Sequence, residues 1–308
     1  MLARSWQRIV AAQGRAPGAD VDRMPSYQSP ARSRAGTQFC VIMDAVAIAA
    51  SGSPQRSPPM PVTPVLNLAA YRFWPIEAPQ SVREHLFERG VALGVRGTIL
   101  VSSEGLNAVL AGPEQACRDM LASIRDLPGF APMVAKESWS QTTPFRRFKV
   151  KVKREIIRMD HPTIRPAEGR APTVDAPTLA RWLDQGHDDA HRPVVLLDTR
   201  NGFEVDHGGF VGALDWRLNQ FTEFPKALAE HRDALEGKTV VTYCTGGIRC
   251  EKAALYMQSV GLPDVLQLEG GILNYFELTD GRHYQGSCFV FDEREALDSD
   301  LSAIRHQT

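Results

Sequence analysis

The sequence lacks any uninterrupted apolar run long enough to cross a bilayer, so we expect no membrane association. Cysteine is scarce: there are five among 308 residues, an odd number at irregular spacing, which does not make a disulfide framework. No cysteines are paired as Cys-x-x-Cys, so a four-cysteine zinc site is not indicated. Four of the five lie in ordinary globular sequence, which is typical of the reducing cytoplasm.

Charge and cofactor signatures are also sparse. The net charge is -1, so affinity for nucleic acid requires a local basic patch. There is no glycine-rich dinucleotide or flavin fingerprint, and His161, His191 and His207 are scattered rather than clustered with carboxylates at iron-binding spacing. We therefore expect no resident metal or organic cofactor, and no motif indicates the oligomeric state.

Residues 1–59 differ from the rest in composition. They contain seven arginines, no lysine and three acidic residues, and they end in the proline-interrupted stretch SGSPQRSPPMPVTP. An arginine-rich, acid-poor segment fits a transit peptide, and FCVIMDAVAIAA fits the apolar core of a secretory signal, although Asp44 interrupts it. Globular patterning begins just after Met60, which favours a disordered extension or an overcalled start.

Residues 64–158 predict a first domain of order βαββαβ. VLNLAAYRFW predicts a strand, and PQSVREHLFERGVALG a helix with Val82, Leu86, Phe87 and Val91 on its apolar face. VRGTILVSSEGLNAVLAG predicts two strands, PEQACRDMLASIRDLPGF a second helix, and FRRFKVKVKREI the closing strand. This order is that of a ferredoxin-like α+β sandwich with helices on one face of an antiparallel sheet.

Residues 170–280 predict a second domain with a parallel sheet. PVVLLDTR, FVGALDW, TVVTYC and DVLQLEGGI predict strands that alternate with helices in FPKALAEHRDALEG, residues 250–259 and LNYFEL. Functional groups of such sheets gather at the carboxyl ends of the strands, where Cys244 falls. Residues 281–308 are expected to form a C-terminal tail.

The stretch YCTGGIRC predicts a reactive thiol loop. Glycines allow backbone N–H groups to turn inward, the following helix adds positive potential, and Arg249 adds a full charge at the rim. Together they favour a thiolate, or an anionic persulfide, at Cys244. The amides predicted to surround the sulfur are those of Thr245, Gly246, Gly247 and Ile248.

The length of the loop separates this chain from cysteine phosphatases. Phosphatase loops have five residues between cysteine and arginine, whereas four intervene between Cys244 and Arg249, so the cradle fits sulfur better than a tetrahedral oxyanion. Cys250 lies in the first predicted helical turn, where packing is the default interpretation and a resolving thiol the alternative.

Two sets of motifs resemble known proteins. LLDTRNGFEVDHGGFVGALD followed by YCTGGIRCEKAA resembles a rhodanese domain, which carries sulfur as a cysteine persulfide. SSEGLNAVLAG, PFRRFKVKVKREII, TEFP, CTGGIRCEKAA, LEGGILNYF and GSCFVFDER, in that order, resemble the bacterial tRNA uridine hydroxylase family of rhodanese-domain proteins. The likeness spans roughly residues 65–294 and implies an acylphosphatase-like domain followed by a rhodanese-like α/β domain.

The resemblance also implies a function. The family is understood to use molecular oxygen as co-substrate to convert the wobble uridine of tRNA to 5-hydroxyuridine. The resemblance therefore implies an oxidoreductase that acts on tRNA in the cytoplasm. It implies that Cys244 is the essential cysteine and Arg249 its charge partner, and that Asp198 and Arg200 shape the mouth of the site. Two departures are residues 1–59, which have no family counterpart, and a short end without the cysteine cluster of some members.

RRFKVKVKRE predicts a basic strand face. Alternation places Phe148, Val150 and Val152 on one side of the strand and four cations, about 6–7 Å apart, on the other. This spacing is near that of successive phosphates, and a solvated sheet face is the alternative. The four cations, the cation row, are Arg147, Lys149, Lys151 and Lys153.

Base recognition needs aromatic partners, and two other functions stay open. Candidates for stacking on an unpaired wobble base are Phe221, Phe224 and Tyr275, although such aromatics are more often core. The first alternative function is a sulfurtransferase that moves sulfur from a donor such as thiosulfate. The second is an inactive rhodanese fold that binds tRNA or a protein.

Overall fold

The computed structural model describes residues 64–304. The interpretation of residues 1–59, and with it Cys40, lies outside the described residues. Within them, no helix is long and apolar enough to cross a membrane.

A five-stranded sheet with two helices forms the first half. Its strands are β1 (Val65–Phe73), β2 (Arg96–Ser102), β3 (Gly105–Gly112), β4 (Ala135–Ser140) and β5 (Phe148–Val152), in the order β4-β1-β3-β2-β5. The helices are α1 (Pro79–Leu93) and α2 (Glu114–Arg125). The α+β sandwich expected from the sequence is confirmed.

The closing strand of this sandwich was wrongly predicted. Strand β4 fills that place, antiparallel to β1, whereas the predicted strand, β5, adds to the opposite edge and runs parallel to β2. The segment AKESWS escapes a periodicity search because it is an edge strand with a single large apolar residue, Trp139.

Helix α1 buries a narrower stripe than the sequence predicts. Its buried positions are Val82, Leu86 and Gly90, one turn apart, while Val91 is 58% exposed. The ring of Phe148 lies against Gly90 and stacks on Phe87, so a glycine rather than Val91 completes the contact with β5.

The sheet has one face packed on the helices and one face open. Along β1, Leu66, Leu68 and Ala70 alternate with Asn67, Ala69 and Tyr71, which project to the side away from the helices. We call this second side the open face. It points to the same cleft as the cysteine-bearing loop described below.

A second, wholly parallel sheet follows in the order β6-β11-β10-β7-β9. Its strands are β6 (Thr173–Val174), β7 (Val194–Asp198), β9 (Leu214–Asp215), β10 (Thr239–Tyr243) and β11 (Val265–Leu268). The helices are α3 (Ala176–Gln185), α4 (Gly202–Val205), α5 (Phe224–His231), α6 (Ile248–Ser259) and α7 (Gly271–Thr279). The expected rhodanese-like α/β architecture is confirmed.

Three local predictions for this half need correction. Helix α3 was not predicted, although its Asp175 cap, which accepts from the Thr178 amide at 2.7 Å, and Gly186 end are recognisable signals. The segment FVGALDW is not one strand, because Gly212 separates β8 (Gly208–Phe210) from β9. Helix α6 begins at Ile248, two residues before the predicted start.

The segment after residue 280 contains regular structure. Strand β12 (Tyr284–Gly286) pairs antiparallel with β8, and β13 (Cys288–Phe289) pairs with β14 (Ala296–Leu297). Arg294 then donates to the Ser138 hydroxyl of β4 at 2.8 Å. The expected tail therefore runs along both sheets and contributes to the cleft.

Candidate active site

Cys244 lies directly after β10, at the carboxyl end of the parallel sheet. The loop of residues 244–249, the cysteine loop, turns into α6 at Gly247, whose φ of 101° is in the left-handed region that favours glycine. A side chain there would also approach the Tyr71 hydroxyl of the first sheet to 3.0 Å. The second glycine of TGG is therefore required both by the backbone and by its neighbour.

The surroundings of Cys244 favour a thiolate. Burial raises its pKa, but the Cys250 side chain, the charge of Arg249 and the backbone amides of Cys250 and Arg249 outweigh burial and lower the pKa from 9.0 to about 5. Of the four amides predicted to surround the sulfur, that of Gly247 donates to Sγ at 3.2 Å. The amides of Arg249 and Cys250 were not predicted because the start of α6 was placed too late.

Cys250 is a close neighbour of the reactive sulfur. The two Sγ atoms are 3.9 Å apart, and the Cys250 thiol lies 3.1 Å from the Gly247 carbonyl. Burial and the neighbouring Cys244 raise the pKa of Cys250 well above its usual value. Cys250 is therefore a neutral thiol beside the reactive sulfur, and its proximity lowers the pKa of Cys244.

Arg249 does not occupy the exposed rim that the sequence predicts. It is 5% exposed, and its guanidinium forms a two-pronged ion pair with Glu204 of α4, with Nη2 at 2.7 Å from Oε2. The positive charge therefore acts on Cys244 through space, at an orientation set by Glu204. Glu204 was missed because its sequence signal, the acidic residue of NGFE, reads only as a helix-capping residue.

Asp198 and Arg200 lie behind the loop rather than at its mouth, so the predicted position is wrong. Both are at most 1% exposed, and Arg200 binds the Asp198 carboxylate, with Nη2–Oδ2 at 2.6 Å, and the Gly208 carbonyl. Asp198 ends β7 in register with Tyr243, the residue before Cys244. The pair therefore supports the strand end that carries the cysteine.

A second support comes from the start of α7. The amides of Ile272 and Leu273 donate to the carbonyls of Cys244 and Thr245, at 3.0 and 3.1 Å. The contact is so close that a Cβ on Gly271 would lie 2.4 Å from the Cys244 carbonyl oxygen. This explains the second glycine of LEGGI, Gly271, whose role the sequence alone did not indicate.

The cysteine loop and the open face enclose a cleft of about 560 Å³. This volume is within the range of small-molecule and nucleotide sites. Its lining includes Asn67, Tyr71 and Lys136 from the open face, Cys244 and Arg249 from the loop, and Phe291 from the C-terminal segment. The reactive sulfur therefore faces a surface built by the other sheet.

The cation row lies at the edge of that same face. Phe148 and Val150 pack towards α1, so Lys149 and Lys151 project to the open side, in register with the cleft-lining Thr98 and Leu100. All four cations are exposed, and so is Val152 at 43%, against the prediction of an inward position. The structure thus brings the basic edge and the cysteine loop to one side of the molecule.

The aromatic residues suggested for base stacking are core residues. Phe221, Phe224 and Tyr275 are at most 5% exposed and pack among the helices of the second sheet, although Phe221 also lines the cleft. The exposed aromatic surface beside the cleft is instead Phe291, 61% exposed, with Phe203, 47% exposed, edge-on to it. Phe291 belongs to the motif GSCFVFDER, so the sequence already contained this aromatic residue.

Direct contacts fix the two sheets around the cleft. The Tyr71 hydroxyl donates to Glu251 of α6 at 2.8 Å. Lys252, 1% exposed, binds Glu104 and Glu155 of the first half at 2.8 and 2.6 Å. The helix that begins at the cysteine loop is therefore anchored to the first sheet by consecutive residues. Across the part of the chain that the structure describes, no group of three or more His, Cys, Asp or Glu side chains is placed to hold a metal.

Comparisons with known proteins agree with this two-part architecture. Residues 65–156 match the UPF0176 acylphosphatase-like domain, and residues 176–278 match the rhodanese-like domain. The chain is 62% identical to a tRNA uridine(34) hydroxylase of Variovorax paradoxus over 78% of this chain and 91% of the relative. Relatives of the same name from Delftia acidovorans and Bordetella avium are 59% and 56% identical, over 77% and 78% of this chain and 90% and 99% of theirs.

The site geometry predicts that Cys244 ionises with a midpoint near pH 5, far below the 9.0 of an ordinary thiol. Because the folded pKa is lowered, the thiolate forms as pH rises through 5 and persists above it. The measurement is the thiolate ultraviolet absorbance of the wild type minus that of Cys244→Ser, titrated between pH 3 and 10. A midpoint at or above about pH 8, the range of a free thiol, contradicts the proposed environment.

Proposed function

Because the chain belongs to the tRNA uridine(34) hydroxylase family, we propose that it hydroxylates the wobble uridine of tRNA to 5-hydroxyuridine, with molecular oxygen as the source of the inserted atom. The observation that carries this proposal is the placement of a low-pKa cysteine opposite an open, basic-edged sheet face. A thiolate loop alone suits many sulfur enzymes. A thiolate loop facing a surface for nucleic acid suits few.

The cation row supplies contacts for the tRNA backbone. Lys149 and Lys151 lie two residues apart on β5, and neither has a carboxylate at ion-pair distance within residues 64–304. Cations spaced along a strand bind successive phosphates and orient a nucleic acid without reading its bases. In this proposal they hold the anticodon loop so that an unstacked base enters the cleft.

The cleft then receives the wobble base. Its lining combines apolar strand residues with Phe291, whose exposed ring offers the flat surface on which unpaired bases stack. The base lies between this surface and Cys244. Cys244 acts as the thiolate or as a persulfide formed from it, and the Glu204-held Arg249 and the α6 amides stabilise either anion.

Replacement of Cys244 by alanine should abolish 5-hydroxyuridine. The variant and the wild type are each expressed in a strain lacking its own copy, and tRNA nucleosides are measured by mass spectrometry. Cys117→Ala, another buried cysteine but beneath the first sheet, is the matched control and should retain the product. Growth under oxygen-18 gas should label the product.

Undiminished 5-hydroxyuridine with Cys244→Ala excludes the proposed role of the loop, and an unlabelled product excludes molecular oxygen as the source. If the wild type makes no 5-hydroxyuridine but forms thiocyanate from thiosulfate and cyanide, the chain is a sulfurtransferase. If tRNA binds without either reaction, it is a binding module.

Replacement of Lys149 and Lys151 together by alanine should weaken tRNA binding and flatten its salt dependence. Each lost phosphate contact reduces the slope of log K against log salt by about 0.7–0.9, so the double variant should lose about 1.5 units of slope. Binding of an anticodon stem-loop is measured by fluorescence anisotropy at several salt concentrations. Lys226→Ala/Lys238→Ala, which removes two lysines outside the cleft, is the control, and equal slopes for the two double variants contradict the proposed phosphate contacts.

A further inference from the structure

Lys136 occupies a place in the site that no motif indicated. It lies on β4, the edge strand that sequence periodicity missed, in register with Ala69 of β1. It therefore shares the open face with Ala69 and Tyr71, and it lines the same cleft as Cys244. Lys136 belongs to the first sheet and Cys244 follows a strand of the second, so they line one cleft only because the two sheets pack together.

The ammonium of Lys136 is half-buried and has no direct ion pair among the described residues. Among residues 64–304, no Asp or Glu oxygen lies within ion-pair distance of its Nζ, which instead lies over the ring of Tyr71, 5.4 Å from the centroid. Lys252, the other interior lysine at this boundary, has two carboxylates. Lys252 makes direct ion pairs, whereas the Lys136 ammonium makes none, so its N–H donors remain available to a polar group in the cleft.

The groups around this ammonium are those of the reaction centre. Burial lowers the pKa of Lys136, and the negative charges of the Cys244 thiolate and Glu251 oppose this shift without cancelling it, so the pKa of Lys136 is lowered overall. Tyr71 connects these groups, because its ring lies beside Lys136, its hydroxyl binds Glu251, and the same hydroxyl lies next to Gly247 of the cysteine loop. Although β4 is an edge strand, Lys136 therefore lies on its cleft side, near the cysteine loop.

We propose that Lys136 is a catalytic residue of the site, whose ammonium binds a carbonyl oxygen of the uracil base and stabilises the negative charge that develops there. When a nucleophile adds to C6 of uracil, the C5–C6 double bond breaks and its electron pair moves into the O4–C4–C5 system, and a cation at O4 stabilises the resulting enolate. The ammonium keeps its protons and forms no covalent bond, so its contribution is electrostatic. This inference rests on the proposed hydroxylation of the wobble uridine.

A phosphate contact is the competing role for a lysine in a tRNA site. The lysines suited to that role, Lys149 and Lys151, are exposed on β5 at the opposite edge of the same sheet. Lys136 is instead enclosed beside Tyr71, where a neutral base fits better than a hydrated phosphodiester. The two roles predict different results, because a phosphate contact changes affinity and its salt dependence, whereas a catalytic cation changes turnover.

The test replaces Lys136 by methionine, which has similar length and no charge, and by arginine, which retains the charge. We expect Lys136→Met to lower 5-hydroxyuridine in cells by about 100-fold or more, the range for loss of one charge-stabilising donor. The Kd of purified protein for an anticodon stem-loop should change less than about twofold, with an unaltered salt slope. Lys136→Arg should recover part of the product, and Lys149→Ala is the control for a phosphate contact.

An independent readout is the ionisation of Cys244. Loss of the Lys136 charge should raise the pH midpoint at which the Cys244 thiolate absorbance appears in Lys136→Met. A single titration step at a pH below that of an ordinary thiol shows that the cysteine loop of the variant is folded. Wild-type levels of 5-hydroxyuridine in Lys136→Met overturn the inference while leaving the proposed function in place. A loss of 5-hydroxyuridine that is explained by weaker and less salt-dependent binding of the anticodon stem-loop also overturns the inference. Failure of the wild type itself to make 5-hydroxyuridine overturns the proposed function. In that case, a Cys244 midpoint that is the same in Lys136→Met as in the wild type shows that Lys136 does not face the thiolate.

Discussion

A buried negative charge on the Cys244 sulfur is the constraint on which the rest of this site depends. A thiolate without solvent is costly, and only nearby donors and cations offset that cost. The chain supplies them from several directions: amides at the start of α6, the neutral thiol of Cys250, and Arg249 held by Glu204. A side chain at Gly247 would meet the Tyr71 hydroxyl, and one at Gly271 would meet the Cys244 carbonyl oxygen, so both glycines let the loop pack closely against its neighbours.

The same constraint explains why two sheets are needed. The second sheet positions the thiolate but leaves it facing outward, and the first sheet provides the opposite wall with its open face. Tyr71 and the Lys252 cluster fix this wall to α6, the helix that stabilises the sulfur. A shift of one sheet relative to the other would therefore alter the cleft and the environment of the thiolate together. The C-terminal segment contributes Phe291 and closes one side.

Sequence reasoning predicted the features that depend on local chemistry. The sandwich, the parallel sheet, the cysteine loop and the alternation from Phe148 to Lys151 follow from periodicity, glycine spacing and motif resemblance. Features that depend on contacts between distant segments were missed. Strand β4 has no apolar periodicity because it lies at an edge, and Glu204 is 45 residues from the arginine that it binds. The burial of Asp198 and Arg200, and the replacement of core aromatics by Phe291 as the exposed ring, likewise became apparent only once the chain was folded.

The most direct test of this account is to locate the wobble base on the protein. An anticodon stem-loop with 4-thiouridine at the wobble position is bound, irradiated and digested, and the crosslinked peptides are identified by mass spectrometry. The account predicts crosslinks on both walls of one cleft, in the cysteine loop or residues 289–294 on one side and in β1 or β4 on the other. Crosslinks confined to surfaces outside the cleft, with none on the first sheet, would contradict it.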